Sequence, residues 1–184
     1  VKAVNYGADL VVATGMDQGG EVPDTDKGTF SILPSIVDAV DGRVPVLAAG
    51  GIVDIRSVRA AQALGAQGVY VGTRFVVSQE NPAAQAVKER IVNEHASDLI
   101  RFKSIPTDWR SLPTPMVNKV KQLEDNGTSV EDVFKIVGGL KSLRSGMRLG
   151  MIDDGMITVN TAIDSIHSIL SVQDIVDNLM ADFR

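Results

Sequence analysis

Three nearly continuous apolar runs organise the first part of the chain: Ala8-Asp9-Leu10-Val11-Val12-Ala13, Val44-Pro45-Val46-Leu47-Ala48-Ala49 and Ala66-Gln67-Gly68-Val69-Tyr70-Val71. Apolarity that runs on instead of alternating marks strands covered on both faces, hence parallel strands under helices. Between them the spacing becomes helical. Ile32, Leu33, Ile36, Val37 and Val40 predict a helix over 30–40, with Pro34 in its first turn and Asp41-Gly42 as its stop. A second helix over 55–64 is predicted, capped by Asp54 and closed by Gly65. The pattern is that of an α/β fold with repeated βα units.

The units repeat. Gly7-Ala8 and Gly65-Ala66 each join a helix end to an apolar strand, and their separation of about 58 residues suits two βα units. Three strands leave two raw edges and cannot close a barrel. The expectation is therefore the C-terminal portion of a TIM (β/α)8 barrel, strands 6–8, with about five units ahead of Val1 in a barrel of roughly 250 residues. Residues 1–100 read as these βα units, and 101–184 as a helical and loop appendix packing on them. A helix over 82–94 is predicted to cover the last strand, and in the appendix helices are predicted over 116–124, after a capping box at Ser129 and Asp132, and from Ser171 through Met180. Residues 102–115, with Pro106, Pro113 and Pro115 around Trp109, read as irregular. Residues 138–162, glycine-spaced and rich in Met, read as a loop lying over something.

Two glycine steps carry the chemistry. Gly50-Gly51 and Gly72-Thr73 each follow an apolar strand and precede a helical pattern. Backbone N–H groups without side chains in the way hold phosphate well, and two neighbouring βα loops at the C-terminal face of a barrel can share one dianion. A phosphate-bearing cofactor is the reading favoured over two ligand-free tight turns.

Composition narrows the partners. The net charge of −5 argues against nucleic acid or an anionic membrane surface, and no apolar run approaches the roughly 18–20 residues of a span. With no cysteine, disulfides, thiolate metal sites and a cysteine nucleophile are excluded, and a cytoplasmic location is expected. No His or paired-carboxylate spacing suggests a metal.

Three segments together resemble the nitronate monooxygenase family, also called 2-nitropropane dioxygenase, which includes FMN-dependent enoyl-acyl-carrier-protein reductases. They are Val12-Ala13-Thr14-Gly15-Met16-Asp17-Gln18-Gly19-Gly20, Pro45-Val46-Leu47-Ala48-Ala49-Gly50-Gly51-Ile52 and 63–75, which ends in Val71-Gly72-Thr73-Arg74-Phe75. The resemblance runs from about residue 1 to 80. Past residue 100 it is loose, although Met156-Ile157-Thr158-Val159-Asn160 has the look of the family's late flavin-side segment. It implies FMN, with the phosphate at Gly50, Gly51, Gly72 and Thr73, and a strand-6 loop carrying Thr14, Gly19 and Gly20 along the flavin. For those last three an ordinary βα turn is the alternative.

One position departs from the family, whose catalytic His directly follows the Gly-Gly of that loop. Here it is Glu21. A carboxylate can act as general base on a C–H next to a nitro group if burial raises its pKa; solvated, or paired with Lys27 or Arg74, it does no chemistry. His95 reads as structural. His167 stands on an apolar pattern and could face the flavin loop. Trp109 reads as a packing anchor, or with Arg110 as a lid or dimer contact, and the methionines as adaptable packing.

The function implied is an FMN-dependent oxidoreductase acting on a small-molecule substrate, first of all nitronate or nitroalkane oxidation by oxygen. The alternatives are NAD(P)H-dependent reduction of an enoyl thioester or quinone, and a non-redox barrel binding a phosphorylated ligand. A homodimer is possible, activity of the isolated chain is doubtful, and the front of the barrel is required.

Overall fold

The computed structural model describes residues 1–105 and 107–183; Pro106, one of the three prolines around Trp109, lies outside the described residues, as does Arg184. The first elements are α1 (Lys2–Asn5), β1 (Val11–Thr14), β2 (Gly20–Glu21), α2 (Thr29–Val40), β3 (Val46–Ala49), α3 (Ile55–Ala63), β4 (Gly68–Tyr70) and α4 (Thr73–Val76). They are followed by α5 (Gln85–Asn93), β5 (Ile100–Phe102), β6 (Trp109–Ser111), α6 (Pro115–Asp125), α7 (Val130–Val137), α8 (Leu140–Leu143) and α9 (Val172–Leu179).

The fold is α/β. A parallel sheet runs in the order β1-β3-β4, with Val11 opposite Val46, Thr14 opposite Ala49, and Ala49 opposite Tyr70. The register puts Ala13, Val46 and Ala48 on one face. All three are buried in a cluster with Leu33 and Val40 of α2, Val58 and Ala61 of α3, and Ile175 and Leu179 of α9. Small side chains on the strands let the helices approach closely, and aliphatic burial of this kind supplies the main stabilisation. Capping follows the sequence: Asp54 accepts from the Ser57 amide while the Ser57 hydroxyl answers the Asp54 amide, a complete capping box. Ser129 and Ser171 cap α7 and α9 more simply, each hydroxyl accepting from the amide three residues on, of Asp132 and Asp174.

The other sheet face differs from expectation. Val12 and Tyr70 share that face at the two ends of the ladder and are 38% and 64% exposed. The apolar runs thus predict two covered faces, and the described residues cover one. Pro34 also departs from the first turn: α2 begins at Thr29, so Pro34 is the sixth residue and removes an interior helix bond.

Residues 102–115 are not wholly irregular. β6 pairs antiparallel with both β5 and β2, with Trp109 opposite Phe102 on one side and Glu21 on the other. Two- and three-residue strands leave too short a pattern to read against three nearby prolines. Trp109 is a packing anchor, buried with Phe102, Val117, Val120, Val133 and Met156. The glycine-spaced stretch after Gly138 holds α8, a π-helical turn at Arg144–Arg148 and a short 3₁₀ turn at Ile152–Asp154.

Leu33 is fully buried between α2 and the sheet. Leu33→Ala should lower stability by about 2–5 kcal/mol, seen as a shift in urea midpoint at constant slope. A loss below about 1 kcal/mol would place the working core elsewhere.

Candidate functional site

The C-terminal ends of β1, β3 and β4 open onto one cavity of about 260 Å³. Of the residues singled out in the sequence, Gly19, Gly50, Gly72 and Thr73 line it. Thr14, at the end of β1, together with Gly20, Gly51 and Glu21, lies outside its lining. Gln18, Ala49, Tyr70, Val76, Met147, Thr158 and Asn160 complete the wall.

Glycine is required here for different reasons at different positions. Gly50 and Gly51 have φ of 91° and 73°, a left-handed conformation that disfavours side chains. A Cβ on Gly50 would lie 2.7 Å from the Thr29 hydroxyl oxygen. On Gly72 a Cβ would meet nothing within 4 Å, so a side chain there would stand in free space beside the cavity. Gly19 is packed against backbone, its would-be Cβ 2.3 Å from the Val159 carbonyl carbon. Among the described residues, no loop, turn or cap hydrogen bond uses the amide of Gly50, Gly51, Gly72 or Thr73. These amides are free donors at the ends of adjacent parallel strands. The Thr73 hydroxyl accepts from the Asn160 amide at 2.9 Å, which fixes the late segment 158–160 against the β4 end.

The loop after β1 is held by Asp17, which the sequence left without a role, and by Arg110, which it offered with Trp109 only as a lid or dimer contact. Asp17 accepts from the Thr29 amide at 2.5 Å through Oδ2 and from the Thr161 hydroxyl at 3.1 Å through Oδ1. Its carbonyl accepts from the Thr161 amide at 3.0 Å. Arg110, buried on β6, donates through Nη1 to the carbonyls of Met16, at 2.5 Å, and Gln18, at 2.6 Å. Burial pulls its guanidinium below the usual arginine range; the Asp17 carboxylate opposes this and Arg101 adds to it. In the sequence residues 102–115 read as irregular, with Trp109 as a packing anchor, and nothing in the spacing linked 110 to 16–18.

Glu21 is exposed on β2 and makes no ion pair with Lys27 or Arg74 among the described residues. The Arg74 guanidinium donates instead to the Ser168 carbonyl at 3.0 Å. His95 pairs with Asp164 at 3.1 Å on the surface. His167 is exposed beside a second cavity, away from the glycine cradle.

Residues 1–182 match the family model described as nitronate monooxygenase. A probable nitronate monooxygenase from Staphylococcus haemolyticus is 37% identical over 130 residues, which is 65% of this chain and 36% of that protein. Its counterpart from Staphylococcus aureus strain JH9 is 40% identical over 106 residues, covering 53% and 29%. Among solved structures, FabK from Thermotoga maritima superposes with a TM-score of 0.88 at 32% identity, over 99% of this chain and 56% of that one. The enoyl reductase domain of MlnA from Bacillus amyloliquefaciens, at 15% identity and TM-score 0.66, shares the fold. The chain thus matches about a third of the length of these curated relatives.

Replacing Arg110 by Met removes the donor that the half-buried Met16 and Gln18 carbonyls share. Stability should fall by about 2–4 kcal/mol, and amide exchange across residues 15–20 should accelerate. Unchanged exchange in that loop would show that Asp17 alone holds it.

Proposed function

The chain belongs to the nitronate monooxygenase family, and from that premise we propose that the intact protein is an FMN-dependent oxidoreductase whose first activity is oxidation of nitronates or nitroalkanes by oxygen. The observation that supports this most is the cradle: unengaged amides on the β3 and β4 loops meeting at one cavity, with Gly72 leaving its space clear. The residues present fit a phosphate group. At about 260 Å³ the cavity suits the phosphate end of a cofactor, below the roughly 300–1,000 Å³ of a complete ligand site. The rest of the cofactor then lies over the sheet ends, where further strands belong. In this reading residues 1–100 are the last three βα units of a TIM barrel, residues 101–184 are its appendix, and the exposed face bearing Val12 and Tyr70 turns inward. The cysteine-free composition favours the cytoplasm, and a homodimer is compatible with it.

FMN, when bound, supplies the electron transfer. The amides of Gly50, Gly51, Gly72 and Thr73 hold its phosphate, with Gly19 and Gly20 beside them on the β1 loop and Thr14 below. Arg110 and Asp17 fix that loop, and Thr73 holds Asn160 and Thr158 against the same cavity. Glu21 is the candidate base for a substrate C–H. It stands exposed on this chain, so raising its pKa toward neutrality requires a segment that covers it.

A second reading is supported by the overlay on FabK across 99% of the chain: NAD(P)H-dependent reduction of an enoyl thioester or quinone. Anaerobic reduction of the flavin by NADH or NADPH selects it over the first. A protein without flavin absorbance would leave a non-redox phosphate-binding barrel.

Gly72→Val tests the cradle, because a Cβ at this position meets no protein atom within 4 Å. The intact variant should keep its melting temperature and lose FMN. Stoichiometric FMN in a folded Gly72→Val protein would overturn the assignment.

Glu21→Gln tests the base. Turnover of a neutral nitroalkane should fall by roughly 10²–10⁴-fold, while oxidation of the pre-ionised nitronate, which needs no proton abstraction, should change little. Equal losses on both would make Glu21 a positioning residue, and no loss would remove it from the mechanism.

A further inference from the structure

Behind the glycine cradle, on the outer side of the β3 and β4 loops, lies a separate cavity of about 370 Å³. Arg74 lines it and is 6% exposed. Of the five N–H donors of its guanidinium, one is used, by the Ser168 carbonyl at 3.0 Å. Burial pulls this guanidinium below its usual range, and among the described residues it forms no ion pair. Buried charges are normally paired, because an uncompensated one is costly.

The one acidic side chain lining the cavity is already committed. Asp54 accepts from Arg56 Nε at 2.7 Å and from the Ser57 amide at 3.1 Å as the cap of α3. His167, at the rim, cannot supply a negative charge at any pH. The N-terminus of α3 also reaches the cavity, through Val53, Asp54 and Ile55, and adds to its positive potential. The remaining wall mixes Leu170, Ile175 and Ala181 with the polar Ser165, Ser168 and Asn178, so that with Val53 and Ile55 one part of the cavity is aliphatic.

We propose that this cavity binds a small organic carboxylate, its carboxylate on the Arg74 guanidinium and its apolar body against Val53, Ile55, Leu170 and Ile175. The planar guanidinium fork matches a carboxylate in geometry and charge. The aliphatic wall separates such a ligand from a bare inorganic anion, which gains nothing there. The site is independent of the redox reading, since it shares no lining residue with the cradle cavity.

The test is calorimetric titration of the intact protein with pentanoate, with pentanol as neutral isostere and with inorganic phosphate. Flavin content is measured in the same samples. Pentanoate should bind saturably at one site, and pentanol and phosphate at least tenfold more weakly. Arg74→Gln should weaken pentanoate roughly 10–100-fold, the effect expected for a hydrogen-bonded charge. Should Arg74→Gln fail to fold, Asn178→Trp decides, because Asn178 is an exposed lining residue whose enlargement fills the cavity away from Arg74. That variant should lose pentanoate while keeping its flavin content. No saturable pentanoate binding, equal binding of pentanol or phosphate, or full binding to the folded variants would overturn the proposal.

Discussion

Everything at the C-terminal ends of the strands depends on one backbone approach: the loop after β1 lies so close to its neighbours that side chains are excluded. A Cβ on Gly15 would fall 2.1 Å from the Thr29 amide nitrogen, and one on Gly19 would fall 2.3 Å from the Val159 carbonyl carbon. Contacts that tight bring α2 and the late segment 158–161 against the same loop. They also leave its polar backbone half-buried, where partners within the protein replace much of the lost water. Asp17 and Arg110 meet that requirement from opposite sides, one accepting from Thr29 and Thr161, the other donating to Met16 and Gln18. Local order in the β1 loop and pairing in the distant β2-β6 ladder are therefore a single constraint.

The two cavities follow from the same arrangement. Glycines that bring the loops together leave the amides over β3 and β4 without a loop, turn or cap partner among the described residues, which is the basis for the proposed phosphate site. Thr73 faces that cavity, whereas Arg74, the next residue, turns to the outer side and keeps its cation out of the cradle. One βα turn thus serves two differently charged environments. Burial separates them, since the guanidinium forms no ion pair among the described residues.

Much of the parallel half was legible in the sequence, because its signals are local. Leu33 and Val40 mark the buried side of α2 by spacing, Asp54 marks the start of α3 by its side chain, and Gly50-Gly51 mark a turn by φ. The family, too, was readable from the strings around Gly19-Gly20, Gly50-Gly51 and Gly72-Thr73. What escaped was nonlocal. Arg110 reaches carbonyls more than ninety residues earlier in the chain, and β6 is only three residues long. The exposure of Val12 and Tyr70 escaped for a different reason: a continuous apolar run reports what a strand is suited to meet, not what is present to meet it.

The central claim is that the β3 and β4 loops together hold the phosphate of FMN. A crystal structure of the intact, flavin-loaded protein tests it most directly. The account predicts a phosphate group within hydrogen-bonding distance of amides from both loops, Gly50-Gly51 on one side and Gly72-Thr73 on the other. Flavin bound with its phosphate away from these amides, or held by charged side chains instead, would contradict it.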